Sequence, residues 1–128
     1  MSTLVEAQGL VLLAKRGKSP ARGLWSLPGG SVEFGERLAD AAVREVREET
    51  AIKIPEPRFC ETVEVIADTY HFVIAVFHAR LETKAKVRAG DDADEAGWFS
   101  LSEIEALDHK SEITPGTAQR IARLIKQP

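Results

Sequence analysis

Leu4 and Val5 precede Glu6-Ala7-Gln8-Gly9, and Leu10 to Lys15 follow, so the first apolar runs predict two short strands around a turn in which Gly9 is free to take a positive φ. Between Gly17 and Gly35, Gly and Pro crowd among few apolar residues, which predicts an ordered loop of the kind that carries function. Glu36 to Thr50 contains neither breaker, and Ala39, Val43, Val46 and Thr50 recur at helical spacing, predicting an amphipathic helix. Pro55 and Pro57 stop it. Arg58 to Ile66 and Tyr70 to Leu81, rich in Val, Ile, Phe and Thr, then read as strands, with His71 to Phe77 apolar enough on both faces to be central. Gly90 to Gly97 reads as an acidic turn before a short strand at Trp98 and Phe99. Ser102-Glu103-Ile104-Glu105 fits a capping box opening a brief helix, and Thr117 caps a last helix reaching Ile125. Strands, long loop, helix, strands, helices: this order predicts an α+β fold with helices packed on a mixed sheet.

A length of 128 residues, 44% hydrophobic, suits one domain covering residues 1–128. Seventeen Lys plus Arg against twenty Asp plus Glu leave a net charge of -3, which excludes an overall positive field for a nucleic acid polymer but not a small phosphate ligand. The single cysteine, Cys60, excludes an internal disulfide and a cysteine-based zinc site. Leu10 to Ala14 is far short of the roughly 20 residues of a membrane span, so a soluble, cytoplasmic protein without membrane partners is expected.

Spacings of three and four place Glu45, Glu48 and Glu49 within roughly 100° of arc on the helix, away from the apolar stripe, with Arg37, Asp40, Arg44 and Arg47 on a third side. Such a face can be a solvated acidic surface. In a partly desolvated cleft, charges about 6 Å apart repel by roughly 3 kcal/mol, and three such pairs call for a cation. Carboxylates are hard ligands, so Mg²⁺ or Mn²⁺ is the ion such a set would take. Leu27-Pro28-Gly29-Gly30 and Glu33-Phe34-Gly35-Glu36 bring flexible backbone next to that face, which favours the cleft.

Gly30, five residues, Glu36, seven residues, then Arg44-Glu45-Val46-Arg47-Glu48-Glu49-Thr50-Ala51-Ile52 resembles the Nudix box, GX5EX7REUXEEXGU, where U is aliphatic. Leu12-Leu13 with Arg16, and Trp25 to Gly29, extend the resemblance over residues 10 to 52. Gly90 to Ala93, Trp98 and Thr114-Pro115-Gly116 are more loosely similar to small bacterial members. Ala51 departs from the pattern: it stands where the family has a Gly that ends the helix in a left-handed conformation, at a cost on the order of 1 kcal/mol. The first strand also begins close to residue 1, as if part of a preceding strand of typical members were missing.

The resemblance implies a Nudix-type α/β/α sandwich and Mg²⁺-dependent hydrolysis of a nucleoside diphosphate linked to a group X, ADP-ribose-like by similarity to small bacterial ADP-ribose pyrophosphatases. Alternatives are a nucleoside triphosphate pyrophosphohydrolase of the 8-oxo-dGTP type and a non-catalytic nucleotide-binding module. It implies Glu45, Glu48 and Glu49 as metal ligands, assisted by a Gly29 or Gly30 carbonyl, with Glu36 paired to Arg44 to fix the helix on the loop. Glu48 or Glu45 would accept the proton, or a later acidic residue among Asp91, Asp92, Asp94 and Glu95, of which Asp92 is the choice. Arg16 and Arg22 would meet phosphates, Tyr70 and Trp98 a base, and His71 would be a packed or hydrogen-bonded residue. The partner is a nucleotide-type small molecule, and a homodimer is the assembly the family suggests.

Overall fold

The computed structural model describes residues 1–90 and 92–126. Strands β1 (Ser2–Ala7) and β2 (Leu10–Arg16) form the expected hairpin, with Gln8 and Gly9 both at positive φ, 52° and 78°. That pair of left-handed residues matches the right-handed strand twist, which is why the turn needs only two positions. β3 (Trp25–Ser26), β4 (Arg58–Ile66), β5 (His71–Leu81) and β6 (Ala93–Phe99) complete a sheet ordered β3-β2-β1-β5-β4, with β6 on β2. β1 and β5 run parallel and the other pairs antiparallel, so the sheet is mixed. β5 is central only from Val76 onward, where β1 joins it; His71 to Ala75 pair with β4 alone and His71, Phe72 and Val73 are exposed, so the apolar run expected to be central lies mostly on a two-stranded extension of the sheet.

Helices cover both faces. α1 (Leu38–Thr50) buries Val46 against Val5, Leu12, Ile52 and Ala79. α2 (Leu101–His109) and α3 (Thr117–Leu124) bury Ile104, Ile121 and Leu124 against Leu4, Leu13, Leu27 and Val76 on the other side. Alternation along β1, Leu4 to one face and Val5 to the other, makes this three-layer arrangement possible. No helix among the described residues is long and apolar enough to cross a membrane.

Several boundaries differ from the sequence reading. The glycine-rich loop contains β3, because Trp25 and Ser26 pair with Lys15 and Ala14. β6 starts at Ala93, inside the expected acidic turn, since Arg16 to Val11 offer it a full antiparallel partner. The capping box is Ser100 with Glu103, two residues earlier than expected: the Ser100 hydroxyl accepts from the Glu103 N–H and the Glu103 carboxylate from the Ser100 N–H. α1 starts at Leu38 without a side-chain cap, and its buried residues include Ala41 and Ala42, which the predicted stripe omitted. Gly116, not Thr117, precedes the last helix, whose bounds stop at Leu124.

Candidate active site

Arg44 organises the acidic face. Its Nε donates to Glu36 Oε2 at 2.8 Å and its Nη2 to Glu36 Oε1 at 2.9 Å, a fork that ties the loop to the helix. Nη2 also donates to the Ser31 carbonyl at 2.9 Å, and Nη1 to Glu45 Oε1 at 2.9 Å and Glu48 Oε2 at 3.2 Å. The Arg44 guanidinium holds the Glu36 carboxyl down to about 2, helped by the Glu33 N–H region of the loop. The helical wheel assigns Arg44 to the basic side. It borders the acidic side, with Glu48 one turn on, and its guanidinium turns to that edge to meet Glu36, Glu45 and Glu48.

Glu49 lies deeper. Its Oε2 accepts the Gly29 N–H at 2.8 Å, yet burial pushes its pKa up to about 8, against that hydrogen bond and with Glu45 adding repulsion. Gly30 explains the close approach of loop and helix, since a Cβ there would stand 2.6 Å from the Glu45 carboxylate. At Gly29 the obstruction would be backbone, the Met1 carbonyl and the Ser2 Cα.

The far end of α1 is also fastened. Ala51 takes a left-handed φ of 66°, the conformation that the Nudix pattern reserves for Gly, and its N–H returns to the Arg47 carbonyl. The N–H groups of Arg88 and Gly90 donate to the Thr50 and Glu49 carbonyls at 2.9 and 3.2 Å, satisfying the helix end from outside. A Cβ on Gly90 would sit 2.6 Å from the Glu48 carbonyl oxygen. This segment leads to Asp92, which pairs with Lys18 at 2.7 Å and whose carbonyl accepts the Gly17 N–H at 2.7 Å. Arg16 and Asp92 are near enough to Glu49 to act on its charge, and Glu45 on that of Lys18. Asp91 lies outside the described residues.

The remaining sequence candidates are spread out. Arg16 donates to the Pro20 carbonyl at 2.6 Å and so shapes the loop, whereas Arg22 is exposed in the turn beyond it. Tyr70 is half-buried at the β4–β5 tip, its ring 4.8 Å from Phe72. Trp98 donates its indole N–H to the Ala85 carbonyl at 2.9 Å and packs with the α1-side core, away from Tyr70. His71 meets Glu64 at 2.7 Å, the hydrogen-bonded role expected of it. Sequence reading gave Gly90 only its loose family likeness and gave Arg88 none, and missed that both fasten to α1.

A divalent cation suits this donor set. The oxygens are hard, Glu49 carries a burial cost that a cation would relieve, and the missing Cβ at Gly30 lets the Glu45 carboxylate lie against the loop backbone. Among the described residues no three acidic, His or Cys side chains converge as a ready-made cation cage. Glu45 and Glu48 close on Arg44 instead, and Glu49 on Gly29.

Residues 2–121 match the NUDIX domain family. The chain is 36% identical over 114 residues to an ADP-ribose pyrophosphatase of Methanocaldococcus jannaschii, covering 86% of this chain and 67% of that one. It is 31% identical over 106 residues to an 8-oxo-dGDP phosphatase of Mus musculus, of which it spans only 31%. A bifunctional NMN adenylyltransferase/ADP ribose pyrophosphatase from Francisella tularensis, complexed with AMP and a Mn ion, superposes with a TM-score of 0.82. That structure is 27% identical, over 98% of this chain and 40% of its own.

Proposed function

This chain belongs to the Nudix hydrolase family, whose members act on pyrophosphate bonds, and on that premise we propose that it hydrolyses a nucleoside diphosphate linked to X, with ADP-ribose as the leading substrate. The observation that carries this reading is the arrangement around Arg44: one guanidinium gathers Glu36, Glu45 and Glu48 while the Gly29 N–H fixes Glu49. Similarity to the M. jannaschii pyrophosphatase supports the choice of ADP-ribose, and similarity to the mouse 8-oxo-dGDP phosphatase supports an oxidised guanine nucleotide as the second reading. A non-catalytic module is disfavoured, because a sensor gains nothing from keeping every glutamate.

Glu45, Glu48 and Glu49, with the Gly30 carbonyl, would hold Mg²⁺ or Mn²⁺. When bound, such an ion neutralises phosphate charge and lowers the pKa of water beside it. The chain itself supplies position and proton acceptance. Arg44 and Glu36 keep the helix seated on the loop, so that the glutamates meet the substrate in one geometry. Glu48, with 35% of its side chain exposed against 15% for Glu45, is the better placed to take a proton from attacking water. Asp92, near Glu49 and tied to Lys18, is the candidate on the opposite loop for the same duty or for a further ligand. Lys18 and Arg16 line that loop as cations toward which phosphates are drawn. The reaction takes place on phosphorus: water adds, the bridging oxygen leaves, and two phosphate monoesters result.

The test is product analysis with Mg²⁺. AMP plus ribose 5-phosphate from ADP-ribose is the expected outcome. Release of a monophosphate from 8-oxo-dGDP or a triphosphate, with ADP-ribose untouched, would move the assignment to the second reading. Binding without turnover of any of them would leave only the module.

A further inference from the structure

Arg120, in the second turn of α3, is half-buried and outside every motif. Its neighbour Arg123 holds both oxygens of Glu61, Nη1 to Oε1 at 2.6 Å and Nη2 to Oε2 at 2.8 Å. Glu61 therefore acts on Arg120 only through space, and Arg123 repels it. Among the described residues the Arg120 guanidinium has no hydrogen-bond or ion-pair partner, and none of its nitrogens is sealed from solvent. Burial disfavours its charge, which leaves five directional donors half-buried, at a cost and without a partner.

The sheet relates this guanidinium to the glycine loop. Gly29 bridges to Ser2, Ser2 pairs with Val76, and Val76 pairs with Glu61, so one row crosses from the catalytic loop to the strand edge beside α3. Three strand spacings of about 4.8 Å put Glu61 roughly 14 Å from Gly29. Arg120 Nη2 lies 3.9 Å from where a Gly116 Cβ would be, so its side chain runs back toward the start of α3. That start is joined to β3, since the Thr114 N–H donates to the Trp25 carbonyl at 2.9 Å, and β3 leads in four residues to Gly29. The guanidinium thus lies beside Gly116 and within electrostatic reach of Glu61, whose place on β4 is about 14 Å across the sheet from Gly29. On the same sheet face, beyond the start of β1, half-buried Val63 and Ile74 and exposed Val65 and Phe72 form an apolar shelf.

We propose that Arg120 is a specificity-determining residue: its fork donates to paired hydrogen-bond acceptors on the substrate end remote from the cleaved bridge, while the shelf receives that end's apolar face. The shared chemistry is a pair of neighbouring acceptor atoms, found on a purine edge and on a sugar's vicinal oxygens. The inference rests on the hydrolase reading above, but its test does not depend on turnover.

Arg120→Met keeps volume and removes the donors, and Arg120→Lys keeps charge without the fork. Steady-state kinetics on ADP-ribose with Mg²⁺ should show KM raised roughly ten- to a hundredfold in R120M, the worth of a charged hydrogen bond, with kcat nearly constant and partial recovery in R120K. Binding of AMP and of ribose 5-phosphate is measured separately by calorimetry. A loss confined to AMP places the nucleoside at Arg120, and a loss confined to ribose 5-phosphate places X there. Thermal midpoints should stay level or rise in R120M, because a desolvated charge beside Arg123 is gone. Unchanged KM together with unchanged binding of both products overturns the proposal, as does a fall in midpoint with no change in binding. If the wild type turns over no nucleoside diphosphate, the hydrolase reading fails, and the binding comparison still decides the role of Arg120.

Discussion

Replacing Gly30 by Ala separates the chemistry of the site from the stability of the fold. The added Cβ would lie 2.6 Å from the Glu45 carboxylate, whereas ordinary contact begins at 3.4 Å, so that carboxylate must withdraw by about 0.8 Å. It is the end of a flexible side chain and can do so. The retreat weakens the 2.9 Å hydrogen bond from Arg44 Nη1, a loss on the order of 1 kcal/mol at a partly exposed pair, and Ala regains about 0.5 kcal/mol by stiffening the unfolded chain. The thermal midpoint should therefore move by no more than about 4 °C. Activity is another matter, since a misplacement near 1 Å costs about a hundredfold. We expect kcat/KM for ADP-ribose to fall by roughly two orders of magnitude, with weaker Mg²⁺ activation. In the double variant with Glu45→Gln, the Gly30 change should cost nothing further. Full activity in G30A, or independent losses in the double variant, would refute Glu45 as a ligand held beside Gly30. Gly29→Ala is the contrast: backbone at Met1 and Ser2 cannot yield, so that variant should lose stability itself.

Ala51→Gly relieves a left-handed Ala and should raise stability by about 0.5–1 kcal/mol, seen as a midpoint a few degrees higher with activity unchanged. In metal-free protein, Glu49 has a pKa of about 8 when folded against 4.5 as the ordinary value. A raised carboxyl pKa contributes stability fully below about pH 4.5 and loses it as pH climbs toward 8, so the midpoint in EDTA should fall across that range. Glu49→Gln should flatten that fall and still abolish hydrolysis. Ser100→Ala removes one partner of the capping box and should cost about 1 kcal/mol in a denaturant melt, with kcat untouched.

Much of this was legible from residue pattern alone, for identifiable reasons. β4 matches its predicted bounds because Pro57 and the Ala67 turn punctuate a β-rich run, and α1 appears because no breaker interrupts it. The capping box misled because Ser-x-x-Glu occurs twice, at Ser100 and Ser102, and only the pairing of Phe99 with Val11 settles where the strand stops. β6 was hidden by its acidic composition, and its order comes from the neighbouring β2. Wheel arithmetic grouped Glu45, Glu48 and Glu49 and, by the i,i+4 spacing, set Arg44 at the border of that face; grouping Arg44 with the other arginines hid the pairing that the structure makes. Tyr70 and Trp98 looked alike as aromatic candidates. Pairing puts one at a hairpin tip and the other half-buried against the α1-side core, which composition cannot distinguish. Arg120 carries no signal along the chain: its solitary charge exists only once Arg123 has claimed Glu61.

The central claim is that Glu45, Glu48 and Glu49 together bind a divalent ion that hydrolysis requires. Titration of Mn²⁺ followed by its electron paramagnetic resonance signal, on wild type and on the variant carrying all three Glu→Gln changes, addresses it directly. The account predicts Mn²⁺ uptake at or below millimolar concentration by the wild type, and none at that level by the folded triple variant, which is also inactive. Equal uptake by both proteins, with hydrolysis retained in the variant, would contradict it.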